Sequence, residues 1–243
     1  AIANYFGRQV PGGNAEFPRT YNIQMTQAQT LRYGENPHQS AAVYCNPDQS
    51  TPHVLSAEQL NGKELSYNNY LDLDAALNIV RGFDTPAVSV IKHNNPCGAA
   101  CGDDLAQVAK AAMDGDPVSA FGSILGCNRT VTAAMAEVLA EPGLFIESII
   151  APDFEPSALE ILTTKPKWKK NVRLMRLGSM PATPPSRQIR PIDGGVLVQD
   201  ADMDQDDPVS WNIASESQPS QAQLIELAFA WQIARYVKSN AIV

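Results

Sequence analysis

Three short apolar runs, each followed by a stretch with helical spacing, constrain this chain more than any other feature. "AVSVI" (residues 87–91), "AFGSILGC" (120–127) and "LFIESIIAPDF" (144–154) read as buried strands. The segments between and after them, "GDDLAQVAKAAMDGD", "TVTAAMAEVLAEPG" and "SALEILTT", read as helices. The early aspartates of the first suit the positive end of a helix. Strands alternating with helices predict an α/β layered fold with a mostly parallel or mixed sheet. In such sheets, ligands gather at the carboxyl ends of strands.

The flanking segments extend this pattern. "AIANYF" reads as the end of a helix, and the Gly- and Pro-rich "GRQVPGGNAEFP" as a linker, so the main body starts near Tyr21. Gly34 to Pro37 reads as a turn before a short strand. "LNGKELSYNNYLDLDAALNIV" is a loop feeding a helix, with Asp72 or Asp74 as the expected cap. "KPKWKKNVRLMRL" leads into an expected exposed strand, and residues 178–207 read as loop with one strand, Gly195–Gln199. "SQAQLIELAFAWQIARYV" is an expected amphipathic helix. Ser220 and Gln223 form its capping box, and Leu224, Leu227, Ala228 and Trp231 lie on one face. The first residue is Ala and the apolar "NAIV" closes the sequence, so both ends read as cuts in a longer protein.

Composition narrows the function. With 44% hydrophobic and 18% charged residues, 243 residues can bury a sizeable core. The net charge of −8 argues against sequence-independent nucleic-acid binding, which needs a basic face, though a few local cations can still hold one phosphate. No run is long enough to span a membrane and no secretory leader opens the chain. The four cysteines suggest no disulfide framework, and the expected location is cytoplasmic. Zinc and calcium patterns fail: Cys97 and Cys101 lack a second pair, and "DADMDQDD" has Gln205 where a calcium loop needs Gly. No P-loop or Gly-x-Gly-x-x-Gly is present.

Two constellations remain. Lys92 and His93 end the first buried strand and precede Asn-Asn-Pro-Cys-Gly. A turn there can hold side chains rigidly at the sheet edge. Histidine carries protons near neutral pH, so the pair suits proton transfer. The plainer reading is a surface lysine beside a structural histidine. In "LRYGENPHQ", Arg32, Tyr33 and His38 gather a guanidinium, a phenol and an imidazole around one turn. Arginine suits a bidentate phosphate contact, though a surface turn with a stacked tyrosine fits as well. Asn68, Asn69, Ser119 and Gly122 are weaker candidates near loop or strand ends.

Seven segments in order resemble the transformylase domain of the bifunctional purine biosynthesis family. In that family, aminoimidazole carboxamide ribonucleotide (AICAR) formyltransferase is joined to IMP cyclohydrolase. The segments are "LRYGENPHQ", "LNGKELSYNNYLDLDAAL", "VIKHNNPCG", "DPVSAFG", "ESIIAPDFEPSALEIL", "GGVLVQD" and "FAWQIARYVKSNAIV". The resemblance implies formyl transfer from 10-formyltetrahydrofolate, as co-substrate, to the 5-amino group of AICAR, without zinc. It makes Lys92, His93 and Asn240 active-site residues. It places Arg32, Tyr33, His38, Asn69, Gly122 and Glu147 around the nucleotide. It further implies a duplicated cytidine-deaminase-like α/β/α fold, of which this chain holds the first unit, and a homodimer. Residues 1–17 would be the tail of the cyclohydrolase domain with its linker, and 18–243 the N-terminal part of the transformylase domain. Asn94 and "SILGCNR" depart from the pattern without removing a catalytic group. The missing C-terminal half, which supplies much of the folate site, leaves the activity of the chain alone open. A non-catalytic nucleotide-binding or scaffold module derived from the family is the alternative. A zinc-free deaminase relative is disfavoured, since it would need another way to activate water.

Overall fold

The computed structural model describes residues 17–181, 187–202 and 207–237. The expected helix end at residues 1–6, most of the linker after it, and Asn240 lie outside them. The chain divides into two compact units, residues 1–50 and 51–243.

In the first unit, β1 (Thr26–Leu31) pairs antiparallel with β2 (Ala41–Cys45), Leu31 opposite Ala41. The turn between them lies two residues beyond the expected position. Gln39 N–H donates to the Asn36 carbonyl at 3.0 Å, with Pro37 and His38 in the centre. Proline presets the first central residue of such a turn, and the Gln39 side chain closes it by accepting from Asn36 N–H at 2.7 Å.

The second unit is built on a six-stranded mixed sheet of order β3-β8-β7-β6-β4-β5. Its strands are β3 (Glu58–Asn61), β4 (Ala87–Lys92), β5 (Asn95–Cys101), β6 (Ser123–Cys127), β7 (Ile146–Ala151) and β8 (Arg173–Arg176). β6, β7 and β8 run parallel; β3, β4 and β5 make the antiparallel pairings. Five α-helices lie among the described residues: α1 (Tyr67–Val80), α2 (Leu105–Asp114), α3 (Ala133–Leu139), α4 (Pro156–Thr164) and α5 (Gln221–Ala234). β9 (Arg187–Ile192) and β10 (Gly195–Asp200) form a separate exposed hairpin.

Period-two alternation sorts the sheet's side chains into two cores. Val88, Val90, Leu125, Cys127, Ile149 and Leu174 pack with α2, α3 and α4. Ile91, Ile124, Ile150 and Met175 face the other way, against Leu73, Ala76 and Leu77 of α1 and Ile233 of α5. Each large aliphatic side chain so buried stabilises the fold by about 1.5–3 kcal/mol relative to exposure.

Helix starts follow local chemistry. Asp104 caps α2, accepting from the N–H groups of Ala106 and Gln107 at 2.9 and 3.1 Å. The capping box of Ser220 and Gln223 forms as expected. α1, however, is capped by neither Asp72 nor Asp74. Ser66 caps it, with Asn69 returning the bond, so the helix begins at Tyr67 and leaves both aspartates on its body.

Two further expectations are corrected. β8 is buried rather than exposed, because β3 covers its outer edge and Arg173 is neutralised by Glu147. α5 turns Phe229 and Ile233 inward, not the face of Leu227 and Trp231, which stay exposed. Apolar residues surround this helix, so periodicity alone did not choose a face; Phe83 stacking on Phe229 and Gln232 bonding to the Gly82 carbonyl did.

α1 approaches the sheet closely at Gly126. A Cβ there would lie 2.5 Å from the Ala76 carbonyl oxygen and 2.9 Å from Ser89 Oγ. Gly126→Ala is therefore expected to destabilise the protein by about 1–3 kcal/mol, read from the denaturation midpoint.

Candidate active site

Lys92 is the last residue of β4 and pairs with Asn95, the first of β5, leaving only His93 and Asn94 between the strands. Both have positive φ, 50° and 64°. Two successive left-handed residues make the hairpin turn whose twist matches antiparallel strands. Histidine and asparagine tolerate that region better than most side chains, at about 1–3 kcal/mol each. Asn94 N–H donates to Asp72 Oδ1 on α1 at 2.7 Å. The turn leaves His93 exposed and Lys92 half-buried.

The Lys92 ammonium is held from the other side. It donates to the Phe121 carbonyl at 2.8 Å and the Gly122 carbonyl at 3.3 Å, at the start of β6. Gly122 has φ +74°, and a Cβ on it would crowd the Phe145 ring at 3.2 Å and Lys92 Nζ at 3.3 Å. Phe121, 58% exposed, meets Phe145 edge-on with ring centroids 5.4 Å apart. An ammonium has three N–H donors, so two go to carbonyls and one is left for a ligand.

The loop carrying these carbonyls is tied by Asp116. Its carboxylate accepts from Ser119 Oγ at 2.5 Å and from the N–H groups of Ser119 and Val118 at 3.0 and 3.2 Å. The Ser119 hydroxyl and N–H bonds hold its pKa below the usual aspartate value. Burial, then the charge of Asp116, push the Cys97 thiol up, which makes it a poor nucleophile.

Asn69 is buried in the first turn of α1, its Oδ1 accepting from Ser66 N–H at 3.0 Å. Glu147 on β7 pairs with Arg173, which also donates to the carbonyls of Lys63 and Glu64 at 3.3 Å and so fixes the loop before α1. In the first unit, Arg32 Nη2 donates to Tyr33 Oη at 2.9 Å and its guanidinium lies 4.7 Å from the Tyr33 ring centre. His38 is exposed in its turn. The contacts of Asp72 and Asp116 do not follow from the candidates above: Asp72 reads as a helix cap, and the only signal at Asp116 is that it precedes Pro117 and Ser119, a spacing that favours side-chain-to-backbone bonding.

A cleft of about 770 Å³ lies elsewhere, between the 82–85 turn, Trp211 and α5. It includes neither Lys92 nor His93, and its Arg235 is engaged by Asp202 at 2.9 Å. Among the described residues no group of three or more His, Cys, Asp or Glu gathers to hold a metal ion, and no helix is long and apolar enough to cross a membrane.

These features define a class: an α/β protein with a lysine–histidine pair presented where a central strand turns back. Comparison with known proteins gives the family. The chain matches the AICARFT/IMPCHase bienzyme family model over residues 1–243, and it belongs to that family. It is 54% identical to the bifunctional purine biosynthesis protein PurH of Rhodopirellula baltica, and 43% and 44% identical to the proteins of that name from Oceanobacillus iheyensis and Bacillus cereus (strain G9842). Each alignment covers 100% of this chain and 46% of the relative, so the chain spans about half the length of the curated relatives it matches.

The depressed Asp116 pKa sets a direction with pH. A carboxyl whose folded pKa is lowered stabilises above its unfolded value and loses that contribution as pH falls through the folded one. The Val118 and Ser119 amides are expected to stay protected at neutral pH and to lose protection below the ordinary aspartate range. Amide exchange measured against pH checks this, and Asp116→Ala should abolish the protection at neutral pH.

Proposed function

We propose that the polypeptide carrying this chain transfers a formyl group from 10-formyltetrahydrofolate to the 5-amino group of AICAR. The reaction is a step of purine (IMP) biosynthesis, in a bifunctional protein whose IMP cyclohydrolase activity then closes the product. Family membership supports the reading. The observation that carries it to particular residues is Lys92, braced on two carbonyls, next to His93 on a left-handed turn.

The AICAR amine is conjugated with its ring and carboxamide, so it attacks weakly and must lose a proton as it does. His93, exposed on its turn, takes that proton directly or through the carboxamide. As the amine nitrogen bonds to the formyl carbon, the formyl oxygen becomes an oxyanion. The remaining Lys92 N–H donates to that oxygen, or to N10 as the bond between N10 and the formyl carbon breaks. N10 leaves with a proton, and formyl-AICAR and tetrahydrofolate remain. An ammonium already fixed by the Phe121 and Gly122 carbonyls needs little reorganisation to do this.

Arg32, Tyr33, His38, Asn69, Gly122 and Glu147 would surround the nucleotide, with Asn240 in the active site. Arg32, stacked on Tyr33, offers the phosphate a preorganised guanidinium. Residues 1–17 are taken as the tail of the cyclohydrolase domain and 18–243 as transformylase, the first of two cytidine-deaminase-like units, zinc-free. The assembly would be a cytoplasmic homodimer that binds small molecules, not nucleic acid or membrane.

The test uses the polypeptide of the relatives' length that contains this chain, assayed for AICAR-dependent release of tetrahydrofolate. His93→Ala and Lys92→Ala should each lower kcat by about 10²–10⁴ with little change in AICAR affinity. Normal turnover with a lower melting temperature would instead make the pair structural. No AICAR-dependent turnover in the parent would leave a non-catalytic nucleotide-binding module. Arg32→Ala should weaken AICAR binding by about 1.5–3 kcal/mol, the worth of a charged hydrogen bond, as read by calorimetric titration.

A further inference from the structure

His93 and Asn94 are the two non-glycine residues with positive φ among the described residues. The turn holds no glycine to relieve that strain, so something outside it must fix the conformation. α1 supplies the contact, with the Asp72 carboxylate accepting from Asn94 N–H at 2.7 Å. The helix around Asp72 is itself rigid: Leu73 and Ala76 are fully buried, and Ser66 and Asn69 cap the turn before it.

We propose that Asp72 is a positioning residue for His93. Its carboxylate pins the Asn94 amide, keeps both turn residues left-handed, and so fixes where the imidazole stands relative to Lys92. The kinetic consequence rests on the formyl-transfer reading; the structural one stands without it. Misplacing a reacting group by about 1 Å can cost on the order of a hundredfold in rate.

The experiment compares Asp72→Ala, Asp72→Asn and the double variant Asp72→Ala/Asn94→Gly in the relatives'-length polypeptide. Asp72→Ala should lower kcat by roughly ten- to a hundredfold with AICAR KM little changed. It should also speed exchange of the Asn94 amide and shift the His93 imidazole resonances, which are identified by their loss in His93→Ala. Asp72→Asn keeps an acceptor oxygen and should retain most of the activity. Glycine adopts left-handed backbone without a side-chain penalty, so Asn94→Gly should recover much of what Asp72→Ala loses. Unchanged Asn94 exchange and His93 resonances in Asp72→Ala would overturn the proposal. So would an Asp72→Asn as weak as Asp72→Ala with no rescue by glycine, since Asp72 would then act through its charge. If the wild type shows no AICAR-dependent turnover, the functional reading fails, and the exchange and resonance measurements still decide whether Asp72 holds the turn.

Discussion

The seat of α1 on the sheet governs the rest of the second unit. The Ala76 carbonyl accepts from Ser89 Oγ at 2.9 Å, beside the bare Cα of Gly126. At that point a serine on β4 and a glycine on β6 let the helix backbone meet the strands directly, within a core otherwise filled by Ile91, Ile124 and Ile150. Helix residues four apart share a face, so Asp72 lies on the same side as Ala76, one turn earlier. Seating Ala76 against β4 is what brings Asp72 to the turn where β4 ends. The capping box at Ser66 and Asn69 then fixes where α1 begins, and the Arg173–Glu147 pair holds the loop leading into it.

The Lys92–Asn94 segment is therefore held from two directions. α1 holds the backbone of the turn, while the start of β6 holds the ammonium of Lys92. The second clamp depends on Gly122, whose positive φ turns two consecutive carbonyls toward one nitrogen, and on Asp116, which ties the preceding loop. Each clamp uses groups from segments far apart in sequence.

Much of this was legible in the sequence because the central strands are buried on both faces. Apolar β-branched runs marked β4, β6 and β7, and the intervening helices followed from spacing and caps. Strands whose stability comes from pairing were not visible. β1 is polar and exposed, β3 sat inside an apparent loop, and β5 carries Pro96 and Gly98, which only an edge strand tolerates. β9 reads as loop in the sequence although Asp193-Gly194, a strong two-residue hairpin signal, follows it directly. Among candidate site residues, Lys92 and Gly122 come together because both were strand ends of one sheet. Asn69 and Glu147 emerged with structural partners, a cap and an ion pair, that spacing along the chain does not reveal. Asp72 reads as a cap for the same reason: its partner, Asn94, lies 22 residues away, outside any helical window.

The adjacency of Lys92 and His93 carries its own geometric requirement. Consecutive side chains of a strand point to opposite faces, so a continuing β4 would send one of the pair away from any ligand that met the other. The sheet would then use only one of them. Ending the strand at Lys92 and placing His93 in left-handed backbone breaks the alternation at that bond, and brings both groups to the same sheet end. A glycine at His93 would make the turn more easily but would carry no imidazole. Retaining a histidine there means accepting strained backbone, and strained backbone persists only where its surroundings over-determine it. In this fold those surroundings are the β4–β5 pairing on one side and the carboxylate of Asp72 on the other.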